Sequence, residues 1–469
     1  MFGLETGLAL LLILSIVAAC VFEFVNGFHD TANAVATVIY TNALKPEIAV
    51  AWSGLWNFLG VLSGAFFGLS VASGIVNLLP LEALVNLSLA HSMAMIFSLL
   101  ITAILWNLGT WYLGIPCSSS HTLVGAILGV GLAFSFMPEN VSGSTINWVK
   151  AADVGLSLLI SPVFGFGLTI ILMFTLRSFL KTKQELFREP SKTKKPPVWI
   201  RSILILTCTG VSFSHGSNDG QKGVGLIMLI LIAIIPAQFA LNAEFKVAEY
   251  VPDAQKSYAI VHNINDSLLT EKEKEIVGKL KTSTGTLVKE ITDSARIHTA
   301  EGKLQIRKNI MLMDKQVDKL ANSGNIHLSL ADLNELKEHS GNLKKLIEYA
   351  PFWVIVMISI SLGLGTMVGW KRIVVTLGEK IGKQHLTYAQ GASSELVAAS
   401  TIGISTYLGL PVSTTQVLSS AIAGSMVASK GLKNLQGGTV RNIFLAWVLT
   451  LPVCIITAAL LFYMFSAVL

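Results

Sequence analysis

The residues able to do chemistry in this chain occur twice, and both copies lie inside sequence apolar enough to cross a membrane. Gly27-Phe28-His29-Asp30-Thr31-Ala32-Asn33 is answered by Gly216-Ser217-Asn218-Asp219-Gly220-Gln221-Lys222. Gly114-Ile115-Pro116-Cys117-Ser118-Ser119-Ser120-His121 is answered by Gly409-Leu410-Pro411-Val412-Ser413-Thr414-Thr415-Gln416. Polar side chains at membrane depth are costly and are retained for function. A matched duplicate set predicts two half-domains that build one site at their interface.

Only 13% of the 469 residues are charged and 52% are hydrophobic, against about 25% charged in soluble domains. Several apolar runs reach the roughly 20 residues that a bilayer helix needs. The expected fold is therefore an all-α polytopic membrane protein: two inverted repeats of about five spans each, with broken helices at the site and a helical soluble insert. Spans are expected at Leu8–Val25, Ile48–Ser70, Met93–Leu113, Leu123–Phe136 and Val154–Leu176. In the second half they fall at Ile203–Phe239 (interrupted), Phe352–Trp370, Leu396–Tyr407, Val417–Ala428 and Ile443–Phe465. The first run lacks a basic flank and a small-residue cleavage site and reads as a retained span. Cys20, Cys117, Cys208 and Cys454 show no metal-ligand spacing and read as packing residues. The net charge of +6 sits largely in short loops, where it sets orientation, and implies no nucleic acid.

The run Arg177–Arg201, with Lys181, Lys183, Arg188, Lys192, Lys194 and Lys195, reads as a cytoplasmic loop, and Val71–His91, free of Lys and Arg, as an outer one. Five spans before the first connector put the N-terminus outside and give the second half opposite polarity. Residues 241–349 are mixed-charge and carry no span-length apolar run. They read as a helical insert into the second repeat, outside the cytoplasm if Ile203–Phe239 crosses once. The expected domains are 1–180 (first repeat), 181–200 (basic connector), 201–240 (start of the second repeat), 241–349 (insert) and 350–469 (remainder).

Within the first motif pair, Asp30 and Asp219 sit among glycines, which weaken a helix and let backbone approach closely. A lone Asp there serves as well as a helix cap; the matched pair points to a site that binds a coupling cation through carboxylate oxygen. Within the second pair, a proline precedes Ser118-Ser119-Ser120 and Ser413-Thr414-Thr415, the pattern of a helix N-terminus. Such N-termini bind oxyanions, and two facing starts would cradle a small tetrahedral anion. His29, His121 and His215 flank the motifs and can carry protons. Glu395, at the head of an apolar span, is either an interfacial cap or part of an ion path. Lys222 is either an ion-pair partner or an anion contact.

These motifs resemble the inorganic phosphate transporter (PiT) family, and within it the bacterial low-affinity Pit-type members. The resemblance is carried by Gly27–Ala34, by Phe213–Gly223 and by both Gly-x-Pro hydroxyl runs, and spans the whole membrane part. It implies a secondary symporter that imports inorganic phosphate, in part as a neutral metal–phosphate complex, with protons across the inner membrane by alternating access. Its phosphate contacts are expected from Ser118, Ser119, Ser120, Ser413, Thr414, Thr415, Asn33 and Asn218. The coupling cation is expected at Asp30, Asp219, His29 and Glu395. No cofactor, catalytic residue or resident metal is implied. The expected partners are phosphate, protons or sodium, a divalent metal carried with phosphate and the lipid bilayer, with a homodimer allowed. Two departures stand out. His29 replaces the Asn commonest across the broad family, and Gln416 stands where the family has His.

Sodium-coupled phosphate symport and sulfate transport are the nearest alternatives. Phosphate carries a P–OH that an aspartate can accept and sulfate at neutral pH does not, which favours phosphate. An intramembrane hydrolase is disfavoured because adjacent Ser120 and His121 diverge by about 100° on a helix. A receptor anchored by the membrane part would not need matched buried polar motifs.

Overall fold

The apolar runs fold into long helices that present apolar side chains outward and collect polar ones within. The computed structural model describes residues 4–79, 89–138, 146–191, 194–265, 269–322 and 329–468. Residues 80–88 of the loop without Lys or Arg, and Lys192 of the basic connector, lie outside the described residues. The first half comprises α1 (Thr6–Tyr40), α2 (Pro46–Phe67), α3 (Ser70–Val76), α4 (Leu89–Tyr112), α5 (Ser119–Ser135) and α6 (Trp148–Phe179). The second begins with α7 (Val198–Ile234) and passes through α8 (Val251–His262), α9 (Glu271–Thr292), α10 (Ala300–Asn322) and α11 (Leu330–Lys344). It then resumes with α12 (Phe352–Thr366), α13 (Lys371–Val375), α14 (Tyr388–Tyr407), α15 (Thr414–Lys430) and α16 (Gly437–Val468).

The chain is a multi-pass helical membrane protein. Among the described residues, α1, α2, α4, α6, α7 and α16 are long and apolar enough to cross a bilayer, and α12 pairs with Lys371–Lys380 across a 56° bend. Leu159 and Val163 of α6 and Ile456 and Leu460 of α16 point outward, as lipid-facing residues must. The expected count of about five spans per half is met only in part: among the described residues α14 is not apolar enough to count as a crossing, and neither α5 nor α15 is long enough. The last two have 17 residues each, a rise of about 26 Å, short of the roughly 30 Å hydrocarbon core. Orientation counted on five full crossings therefore does not follow from helix length.

A second correction concerns the expected breaks. α1 and α7 run unbroken through Gly27–Asp30 and Gly216–Asp219, over 35 and 37 residues. The glycines are contact points instead. A Cβ on Gly27 would collide with the Leu362 carbonyl of α12, and one on Gly216 with the Asn57 carbonyl of α2. Gly365 and Gly60 meet the carbonyls of Phe24 and Phe213 in return. Each helix therefore lies against a helix of the other half. α5 against α16 and α6 against α15 repeat this exchange at Gly129–Ile455 and Gly424–Phe166. Pro162 and Pro452 lie inside α6 and α16.

Leu231–Ala350 forms a compact unit distinct from Met1–Ile230 with Pro351–Leu469. Its amphipathic helices bury Val277, Leu280, Leu287, Ile306, Ile310 and Met313. A capping box between Thr270 and Glu273 starts α9. The two ends of this unit are clamped together. Asn242 N donates to Leu346 O at 2.8 Å, and Tyr349 Oη donates to Leu241 O at 3.0 Å. The buried Arg307 donates to Ala240 O and Ile347 O at 3.2 and 2.9 Å. Burial pulls its guanidinium down to about 10, so it stays charged at neutral pH. Because entry and exit meet, replacing Glu244–Asn342 with a short Gly/Ser linker is expected to leave transport measurable in proteoliposomes. Complete loss of transport in a variant that inserts normally would show that the insert belongs to the transport machinery.

Candidate functional site

Two hairpins with the same local design bring hydroxyls to the aspartates. α4 and α14 both end in a Schellman motif: Ile115 N to Thr110 O at 3.0 Å, and Leu410 N to Ser405 O at 2.8 Å. That motif needs a left-handed residue, supplied by Gly114 (φ 66°) and Gly409 (φ 68°). Ser118 and Ser413 then cap α5 and α15, each Oγ accepting from the amide three residues on, His121 N and Gln416 N, at 3.2 Å. Trp447 of α16 donates to Pro116 O at 3.2 Å, and Ser157 of α6 to Pro411 O at 2.8 Å, bracing both hairpins.

The capped helix starts close on two buried carboxylates. Ser119 Oγ lies 3.2 Å from Asp30 Oδ2 and 3.5 Å from Asp219 Oδ2. Thr414 Oγ1 lies 3.2 Å from Asp219 Oδ2, and Thr415 Oγ1 2.5 Å from Asp30 Oδ1. Asn33 bridges Asp30 and Thr415, at 3.2 and 3.1 Å. In the second half Lys222 takes that place, with Nζ 2.5 Å from both Asp219 Oδ1 and Ser120 Oγ and 3.0 Å from Val412 O. The two Asp environments thus differ in charge: Asp219 has a fixed ammonium partner, and Asp30 has a neutral amide.

His215, which the expected site set omits, stands between the carboxylates. Its Nε2 is 3.6 Å from Asp30 Oδ2 and 3.4 Å from Asp219 Oδ2, while Nδ1 meets Asn57 Oδ1 at 2.5 Å. Donor atoms of Asp30, His215 and Asp219 lie within 4.8 Å of one another, an oxygen-and-nitrogen set able to hold a cation. The sequence signal was its position one turn before Asp219. His29 joins through Nδ1, 3.3 Å from Asp30 Oδ1, with Nε2 3.3 Å from Thr110 Oγ1.

Three residues sit differently from expectation. Asn218 is committed to the second hairpin, to Thr406 Oγ1 (3.0 Å), Leu410 O (3.2 Å) and Val412 N (3.3 Å). It positions that hairpin. His121 turns back onto its own cap, Nδ1 to Ser118 Oγ at 2.7 Å. Glu395 does not join the aspartates. It accepts from Thr37 of α1 and, at 2.6 Å, from Thr207 of α7. Thr37 is seven residues beyond Asp30, about 10 Å along the helix.

A multi-pass helical protein whose two halves converge two capped helix starts on paired carboxylates is built as a membrane carrier. A sequence profile of the phosphate transporter family matches residues 26–458, and the chain belongs to that family. It is 41% identical to the low-affinity inorganic phosphate transporter of Buchnera aphidicola subsp. Acyrthosiphon pisum (strain APS), over 97% of this chain and 96% of that one. It is 39% identical to the low-affinity inorganic phosphate transporter PitA of Escherichia coli (strain K12), over 98% of each. A solved structure titled "The sodium-dependent phosphate transporter" shares the fold, with a TM-score of 0.54 at 21% identity over 98% of this chain and 100% of that one.

Proposed function

We propose that this protein is a secondary symporter that imports inorganic phosphate with protons across the inner membrane by alternating access. The observation that carries this reading is the convergence of Ser119, Thr414 and Thr415 on Asp30 and Asp219. Helix N-termini and hydroxyls supply donors for a tetrahedral oxyanion. The Asp30 carboxylate, which has no ammonium partner, repels it, since like charges a few ångström apart in a low-dielectric site cost several kcal/mol. Phosphate enters that setting only with its charge balanced by cations, and this requirement is the coupling. A neutral divalent-metal phosphate satisfies it in the same way, with the metal as cargo. The reciprocal packing of Gly27 and Gly216 supports an inverted-repeat arrangement, in which rocking one half against the other exposes the site alternately.

Phosphate offers a P–OH that Asp30 or Asp219 can accept, and arsenate copies its size, charge and protonation. In proteoliposomes, excess arsenate is expected to suppress labelled phosphate uptake strongly, and sulfate weakly. Strong inhibition by sulfate with none by arsenate would reject phosphate as the substrate.

A further inference from the structure

The cation path of this carrier has an unassigned group in Glu23. Glu23, Asn26, Asp30, Asn33 and Thr37 recur every three or four residues along α1 and so form one polar stripe on a single helix face. Glu23 and Asn26 are fully buried. Asn26 Nδ2 donates to Glu23 Oε2 at 3.2 Å, which leaves Glu23 Oε1 and Asn26 Oδ1 as buried oxygens without a partner. Opposite them α7 has Gly223, where a Cβ would stand 2.5 Å from Glu23 Oε1. The absence of a side chain there keeps the space for the carboxyl. The charged and titratable groups acting on Glu23 are Asp219, Lys222 and His215 of α7, with Cys20 beside it on α1.

A carboxylate shut away from water with one oxygen unpaired carries an uncompensated charge unless a cation joins it. We propose that Glu23 and Asn26 form a second cation station, seven residues along α1 from Asp30, occupied by the coupling proton on its way to or from the aspartates. This rests on the proton-symport reading of the central site. Glu23 Oε1 takes up a proton as a neutral carboxylic acid and returns it as a carboxylate. The stripe then has a carboxylate on each side of Asp30: Glu23 toward the start of α1, and Glu395, held at Thr37, toward its end.

The test uses Glu23→Gln and Glu23→Asp in proteoliposomes. Phosphate–phosphate exchange, which needs no net proton movement, reports an intact substrate site. Glu23→Gln is expected to retain exchange and to lose accumulation driven by a pH gradient, and Glu23→Asp to recover part of it. Accumulation by Glu23→Gln equal to the parent overturns the proposal. Loss of exchange and accumulation together in both variants reduces Glu23 to a structural role and overturns it too. A second measurement needs no variant and no phosphate transport. Dicyclohexylcarbodiimide, which modifies protonated carboxyls in apolar surroundings, is expected to label Glu23 in the parent protein, less as the pH is raised. Absence of label at Glu23 from acid to alkaline pH overturns the station even if Glu23→Gln fails to fold. If the parent moves no phosphate while Glu23 is labelled, the phosphate reading fails and the station stands.

Discussion

Asn substitution of the two aspartates is expected to stop gradient-driven phosphate uptake completely, but with different effects on the fold. Asp30 is held by neutral donors and by His29 and His215. Asp30→Asn keeps the size and leaves no ammonium stranded, so that variant is expected to insert and melt close to the parent while accumulation falls to the level of protein-free liposomes. Asp219 is the partner of Lys222, whose ammonium is buried and 2.5 Å from its Oδ1. Asp219→Asn leaves that charge unpaired, a loss of about 3–5 kcal/mol where a buried pair is broken. It is therefore expected to lower the melting temperature as well as abolish uptake. The charge-balanced variant Asp219→Asn with Lys222→Gln is expected to recover the melting temperature without recovering uptake. Uptake by the Asp30→Asn protein at the parent rate removes that carboxylate from coupling. A normal melting temperature for Asp219→Asn removes the charge argument for Lys222.

The pairing of the motifs and the two helix starts was legible in the sequence because both depend on local rules. Gly-x-Pro followed by hydroxyl residues specifies a Schellman end and an N-cap wherever the chain goes, and both hairpins obey it. What was not legible depends on partners distant in sequence. Glycine lowers helix propensity, so from local sequence Gly27 and Gly216 suggest a break in the helix. Their use is set instead by the carbonyls of Leu362 and Asn57, which local sequence does not reveal. His215 is legible as a proton-carrying group at the motif edge, but its central place is not: it stands between two carboxylates 189 positions apart, and only the packing of α1 on α7 makes it central. The family resemblance places Glu395 with the aspartates, yet its position on α14 brings it to Thr37 and Thr207. The sequence leaves Lys222 as either an ion-pair partner or an anion contact. The 2.5 Å contact to Asp219 makes it an ion-pair partner.

The driving ion is the second large effect, because the expected outcome is uptake or none. The cluster at Asp30 mixes carboxylate oxygen with imidazole nitrogen: His29 at 3.3 Å and His215 at 3.6 Å. An imidazole nitrogen can take up and pass on a proton, whereas a hard cation prefers an all-oxygen shell. An inwardly directed pH gradient is therefore expected to drive phosphate into sodium-free proteoliposomes, and chelation of magnesium and calcium to depress uptake where the carried species is a neutral metal phosphate. The competing outcome has a defined structural origin. Glu395 accepts from the hydroxyls of Thr37 and Thr207, an all-oxygen set at the junction of α1, α7 and α14. If that set holds sodium, uptake will require sodium, will persist when the pH gradient is collapsed, and will be lost in Glu395→Gln while Asp30 and Asp219 remain intact. Observation of all three would overturn proton coupling and place the driving ion at Glu395. A Glu395→Gln protein that still accumulates phosphate on a pH gradient alone would assign coupling to the aspartate–histidine cluster.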